Sequence, residues 1–236
     1  MKKLVYRSED RGKAEHGWLH AKHSFSFGGW YDPNKMGFGL LRVLNDDIIE
    51  AAQGFGIHPR DNMEIITIIL EGALEHKDSM GSGSVIYPGE VQVMSAGTGI
   101  MHSEFNASSE TRTNLLQIWI IPKERNIKPK YDQKKFDPQE QQNNFKILVS
   151  GFKDDNSLYI HQDALIAHAG IEKGNSAEYK LRKNNNGIYL FVIDGAIEIA
   201  GEELFRRDAI GLIDAGELTV TAAENSQLLL IEVPMN

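Results

Sequence analysis

The sequence predicts an all-β protein of two tandem, jelly-roll-like β-barrels with few short helices. Three observations carry this: short runs rich in Val, Ile and Leu, Gly-containing turns between them, and a β unit that occurs twice. The runs Ile65 to Leu70 and Leu228 to Val233 have strand length, and no helical crossover pattern separates such runs, so packed sheets are expected in place of βαβ units.

The repeat places the division. Ile65 to His76 reads strand, turn, strand and resembles Ile188 to Ile199, with Gly72 opposite Gly195. Further on, Gly89 to Gly97 matches Asp208 to Gly216 at nearly the same offset, about half the chain. The expected organisation is therefore an N-terminal unit over 1–122, a linker over 123–144 and a C-terminal unit over 145–236. The linker is polar and interrupted by Pro129 and Pro138. Its lysines alternate with acids and amides, which reads as a solvated connector.

Composition excludes several classes of function. Twenty-five basic against 33 acidic side chains leave a net charge of −8, so there is no electrostatic footprint for a phosphate backbone, and direct nucleic-acid binding is not expected. The absence of Cys removes disulfides, thiolate metal sites and Cys nucleophiles, and fits a cytoplasmic protein. The first ten residues carry two lysines with no apolar run behind them, so no export signal is expected. No run approaches the roughly 20 apolar residues of a membrane span. Gly97-Thr-Gly99 lacks the Lys and third glycine of phosphate loops, and Gly81-Ser-Gly-Ser lacks the helix that follows a hydrolase elbow.

Eight histidines are present. His102 and Glu104 are two residues apart, and on a strand such residues share a face. His58, Arg60 and Glu64 immediately precede the apolar strand from Ile65, which a barrel can bring against His102. His76 reads as a polar strand residue able to support a ligand. His161 and His168 lie in the half without a candidate site. His16, His20 and His23 flank Trp18 and Phe25 and read as packing.

Several segments resemble the pirin family of the cupin superfamily: Gly17 to Phe27, Tyr31 to Pro33, Leu41 to Asp47, Leu70 to Gly81 and Met94 to Glu104. The C-terminal half is similar to the second cupin domain of short bacterial pirins, some of which are quercetin 2,3-dioxygenases. The resemblance implies a bicupin whose N-terminal barrel holds one divalent transition metal. Iron is the first expectation, with nickel, copper and manganese as others. The family's ligands are a His-x-His pair and a later His-x-Glu pair, which carry over to His58, His102 and Glu104, with Arg60 in place of the second His. A guanidinium has no lone pair for a cation. Either Arg60 points inward and pairs with Glu104 or Glu64, displacing the metal, or it swings out and leaves a two-His-one-carboxylate set, with Glu64 available as a fourth ligand.

The implied activity is oxygenolytic cleavage of a flavonol or similar aromatic enol, with Glu104 also acting as base and Met94, Met101, Phe55 and Phe105 as candidate pocket lining. The alternative is a non-catalytic binding or regulatory module with a weak or absent metal site and a protein partner. A monomer is expected, because two fused barrels supply the contact that single barrels obtain by pairing.

Overall fold

Alternating apolar residues and Gly-punctuated turns fold the described residues into twenty-two strands and two short 3-10 turns; the computed structural model describes residues 1–152 and 156–235. The N-terminal half contributes β1 (Lys2–Tyr6), β2 (Gly12–Glu15), β3 (Leu19–His23), β4 (Leu41–Ile49), β5 (Gly54–Arg60), β6 (Glu64–Glu71), β7 (Leu74–Asp78), β8 (Gly83–Ile86), β9 (Glu90–Ser95), β10 (Ile100–Asn106) and β11 (Thr113–Ile120). After β12 (Lys130–Lys135) follow β13 (Lys146–Ser150), β14 (Leu158–Tyr159), β15 (Leu165–Ile171), β16 (Ser176–Lys180) and β17 (Asn186–Asp194). The chain ends with β18 (Ala196–Ile199), β19 (Glu202–Phe205), β20 (Ala209–Ile213), β21 (Glu217–Ala222) and β22 (Ser226–Pro234).

Each barrel pairs a seven-stranded sheet with a four-stranded one. The first has the orders β12-β9-β6-β11-β4-β3-β2 and β5-β10-β7-β8; the second has β1-β20-β17-β22-β15-β13-β14 and β16-β21-β18-β19. The two large sheets share a core. Leu44, Ile66, Ile68, Leu116 and Ile118 pack with Tyr189, Phe191, Leu229 and Ile231 across the seam. The intervening residues Ile65, Ile69 and Leu115 face the interior of the first barrel, and Ile188, Leu190 and Val192 that of the second. Strands buried on both faces read as nearly continuous apolar runs, which is why Ile65 to Leu70 has only Thr67 as a polar residue.

The two glycines that mark the repeat do the same job in each half. Gly72 (φ +79°) and Gly195 (φ +87°) adopt the left-handed conformation, and a Cβ would fall 2.3 Å from Thr113 Oγ1 and 2.4 Å from Ser226 Oγ. Those hydroxyls, at the starts of β11 and β22, bond back to the carbonyls of Glu71 at 3.0 Å and Ala196 at 3.1 Å.

Two features differ from the sequence reading. The polar segment 123–144 is not only a connector, since β12 within it pairs with β9 along the edge of the first large sheet (Lys130 with Ser95, Lys134 with Val91). The half-buried Tyr131 on this strand turns toward the site, with a seam-facing Phe136 just beyond. The N-terminal strand β1, in turn, pairs with β20 of the second barrel. It occupies there the edge that β12 occupies in the first. Among the described residues, no helix is long and apolar enough to cross a membrane.

Candidate metal centre

The site forms on the small sheet of the first barrel, where β10 runs between β5 and β7. Its alternation places Ile100, His102, Glu104 and Asn106 inward and Met101 and Phe105 outward. In register, His102 lies opposite His58 on one side and Asp78 on the other, and Glu104 lies opposite His76. A bulge between His102 and Glu104 on the β5 side re-aims the strand locally.

One donor atom from each of His76, His102 and Glu104 lies within 4.8 Å of the other two, and all three residues are buried. Several of their polar atoms have no hydrogen-bond partner: both nitrogens of His102, Glu104 Oε1 and His76 Nδ1. Buried polar atoms are rarely left unpaired, so this set fits a cation. The surrounding bonds prepare the donors. His76 Nε2 lies 3.1 Å from Asp78 Oδ2; a ring that donates there keeps its Nδ1 lone pair free. Gln117 Nε2 donates to Glu104 Oε2 at 2.9 Å, and Trp119 Nε1 donates to Gln117 Oε1 at 3.2 Å. Burial, reinforced by the charges of His58, His76 and Arg60, pushes the His102 imidazole down to about 3, so it stays neutral with a lone pair to offer.

His58, half-buried, stands outside that donor set but against it. Its ring centroid is 4.3 Å from that of His102, and its Nδ1 is 2.8 Å from the Gly56 carbonyl, which directs the remaining lone pair to Nε2. Arg60 takes neither simple course. Its guanidinium stacks over Trp119 at 4.5 Å, and among the described residues it forms no ion pair with a carboxylate, although it lines the site's cavity with Glu104 and His58. Glu64 is not available as a ligand: it shares the seam-facing parity of Ile66, accepts from Ser95 Oγ at 2.7 Å and lies 3.6 Å from His161 Nδ1.

The cavity is about 50 Å³, with His23, Asn45, Asp47 and Phe55 among its walls. Of the four expected lining residues only Phe55 serves. Met94 is core with Ile65 and Ile100, while Met101 and Phe105 face outward. Burial, with the charges of Asp46 and Glu104 behind it, pushes Asp47 up to about 8, so this carboxyl keeps its proton at neutral pH.

Among the described residues, the second barrel does not repeat these groups. Counting from Gly72 and Gly195, the register sets Ile199 where His76 stands, and Leu218 and Val220 where His102 and Glu104 stand. An aliphatic interior fills that barrel.

The Pirin family profile matches residues 5–120, and one described as Quercetinase C-terminal cupin domain matches residues 147–233. Over 233 residues, covering 98% of this chain and 99% of the relative, the sequence is 42% identical to a protein of Escherichia coli (strain K12) named quercetin 2,3-dioxygenase. The chain belongs to the pirin family. It is also 44% identical, over 94% of its length and 95% of the relative's, to a pirin-like protein of Caulobacter vibrioides. Among solved structures, this pirin is similar to YhhW from Escherichia coli (TM-score 0.94, 41% identity, 99% and 98% of the two chains). It is also similar to bacterial pirin YhhW in complex with nickel(II) from the same organism (TM-score 0.93, 40% identity, 99% of both).

The sequence gives His76 only a supporting role and does not single out its partner Asp78, whereas the structure sets His76 among the donors. The signal was present, since Leu74-Glu-His-Lys-Asp78 alternates and puts Leu74, His76 and Asp78 on one face. Tyr131, whose ring stacks on His76 at 4.7 Å, carried no such signal in its polar surroundings.

Proposed function

We propose that this pirin is a metal-dependent quercetin 2,3-dioxygenase whose ion is held by His102, Glu104 and His76, with His58 adjoining. The observation that carries this reading is the convergence of buried, unpartnered donors on three residues, in a chain whose relatives bear that enzyme's name. The ion is a divalent transition metal, with iron, nickel, copper and manganese as candidates, and when bound it supplies Lewis acidity and a reaction centre for dioxygen.

The chain's own residues do the rest. Glu104 would meet the ion through Oε1 while Gln117 holds Oε2 in place, and the same carboxylate is the base at hand for the proton of an enol hydroxyl. The protonated Asp47 is a hydrogen-bond donor on the opposite wall. Arg60, which by family resemblance stands where a second histidine is usual, puts a fixed positive charge at the cavity that favours an enolate over a neutral enol. Phe55, Phe27 and Tyr131 keep the surroundings apolar, which strengthens these interactions. A cavity of about 50 Å³ is well short of the roughly 300 Å³ or more of a drug-sized ligand site. The His58–Arg60 strand must therefore give way for a flavonol to enter. The same small volume favours the second reading, a non-catalytic binding module that acts through a protein partner. On either reading we place the protein in the cytoplasm as a monomer.

The test is metal content per chain in untagged protein, followed by quercetin loss and dioxygen uptake. One equivalent of metal with matched loss and uptake is expected. Metal without turnover would leave the binding module, and no metal after reconstitution would remove both the centre and the enzyme.

A further inference from the structure

A second site lies away from the metal centre, where one end of the seam opens into a cleft of about 580 Å³. Arg11, Lys13, Lys22 and Arg112 reach it from the N-terminal half, and Arg206 and Arg207 from the second barrel. Three carboxylates, Glu9, Asp46 and Glu71, share the lining. The excess of cations is local and runs against a chain of net charge −8.

The charges are built in at a cost. Lys13 and Lys22 are directly opposite on β2 and β3, a placement that repels across a strand pair. Among the described residues neither of them, nor Arg112, pairs with a carboxylate. On the floor, the single carboxylate of Asp46 serves two guanidiniums: Arg207 Nε at 2.7 Å and Arg11 Nη1 at 3.5 Å. Arg11 is only 7% exposed, stacks over Phe191 at 5.2 Å, and its buried Nε has no partner. The floor therefore carries two guanidinium charges against one carboxylate, an imbalance that a bound anion would offset. Arg207 is also held at φ +69°, in the left-handed region that costs a non-glycine residue energy and that clusters at ligand sites.

We propose that this cleft binds a small, multiply charged phosphoryl compound that bridges the two barrels through Arg11, Lys13, Lys22 and Arg207. Such a ligand matches the fork of the guanidiniums and the point charges of the lysines. It would also tie the N-terminal half to the loop before β20.

The experiment is calorimetric titration and thermal melting of the full-length protein with inorganic pyrophosphate, ionic strength being matched with sodium chloride. The wild type should bind one equivalent saturably and melt at higher temperature. Lys13→Gln combined with Lys22→Gln should weaken binding about tenfold or more, yet melt no lower than wild type without ligand, because the opposed charges are gone. Lys77→Gln, remote and paired with Glu75, should bind like wild type. Equal binding by the double variant would locate pyrophosphate elsewhere, for instance on the bound metal, and overturn the proposal. So would an absence of saturation at millimolar concentration, capture of citrate but not pyrophosphate, or binding of an oligonucleotide alone.

Discussion

The side-chain amide of Gln117 donates to Glu104 Oε2 at 2.9 Å, leaving Oε1 as the buried oxygen without a partner. A strand of the large sheet thereby orients a carboxylate on the small one. Replacing Gln117 with Leu should lower affinity for a divalent metal by roughly 10- to 100-fold, the usual effect of losing a ligand's outer partner. Fold and melting temperature should hardly change. Unchanged metal affinity by titration calorimetry would detach Gln117 from the centre.

Ligand truncations should separate the donors. His102→Ala should abolish metal retention, since both of its ring nitrogens lie unpaired among the other donors. His76→Ala should cost more affinity than His58→Ala, because His76 belongs to the set within 4.8 Å and His58 stands beside it. Metal per chain after dialysis gives the ranking, and the reverse order for His76 and His58 would shift the ion toward β5.

Arg60 lies opposite Ile100 in register and so on the strand face of His58. Arg60→His should raise affinity for divalent iron or copper by replacing a cation with a lone-pair donor. It should also remove the stack on Trp119, which fluorescence can follow. A fluorescence change without gain in affinity would mean that the position lies beyond the ion's reach.

The seam should behave as a single core. Phe191 is fully buried between the large sheets, and Phe191→Ala should destabilise by about 3–5 kcal/mol. Both barrels should unfold together, so near-ultraviolet circular dichroism and tryptophan fluorescence should give one coincident transition. Two separated transitions would show that the barrels are energetically independent.

Burial pushes His168 down to about 4, with its Nδ1 unpartnered at the seam. The unfolded chain takes up this proton below about 6.5, whereas the folded protein resists until about 4. The contribution is therefore fully present above about pH 6.5 and is lost as pH falls through the window down to about 4, by at most about 3 kcal/mol. His168→Gln should flatten that slope. Parallel melting-temperature profiles for the two proteins between about pH 7 and 4 would discard this origin.

Much of this architecture is legible in the sequence. Gly72 and Gly195 marked the repeat because backbone conformation and close packing leave no room for another residue. His102 and Glu104 could be paired because period two is a property of every strand. Long-range register was not legible. It decides that His76 meets Glu104, that Glu64 turns to the seam to meet Ser95 and His161, and that Arg60 rests on Trp119. Local spacing carries no information about which strand lies alongside. Tyr131 was missed for a related reason, since a polar edge strand is hard to distinguish from a loop until a partner is known.

The pairing of β1 with β20 sets an order of events on the ribosome. Lys3 finds Leu212 only after more than two hundred further residues have been made, so a strand made early is satisfied late. Closing so long a loop before any contact rewards it is slow. In the interval β1 presents a free edge, open to pairing with another nascent copy. β22, which lies between β17 and β15 in the second large sheet, emerges later still. A chain that stops before β22 would therefore leave β15 and β17 without the strand that joins them.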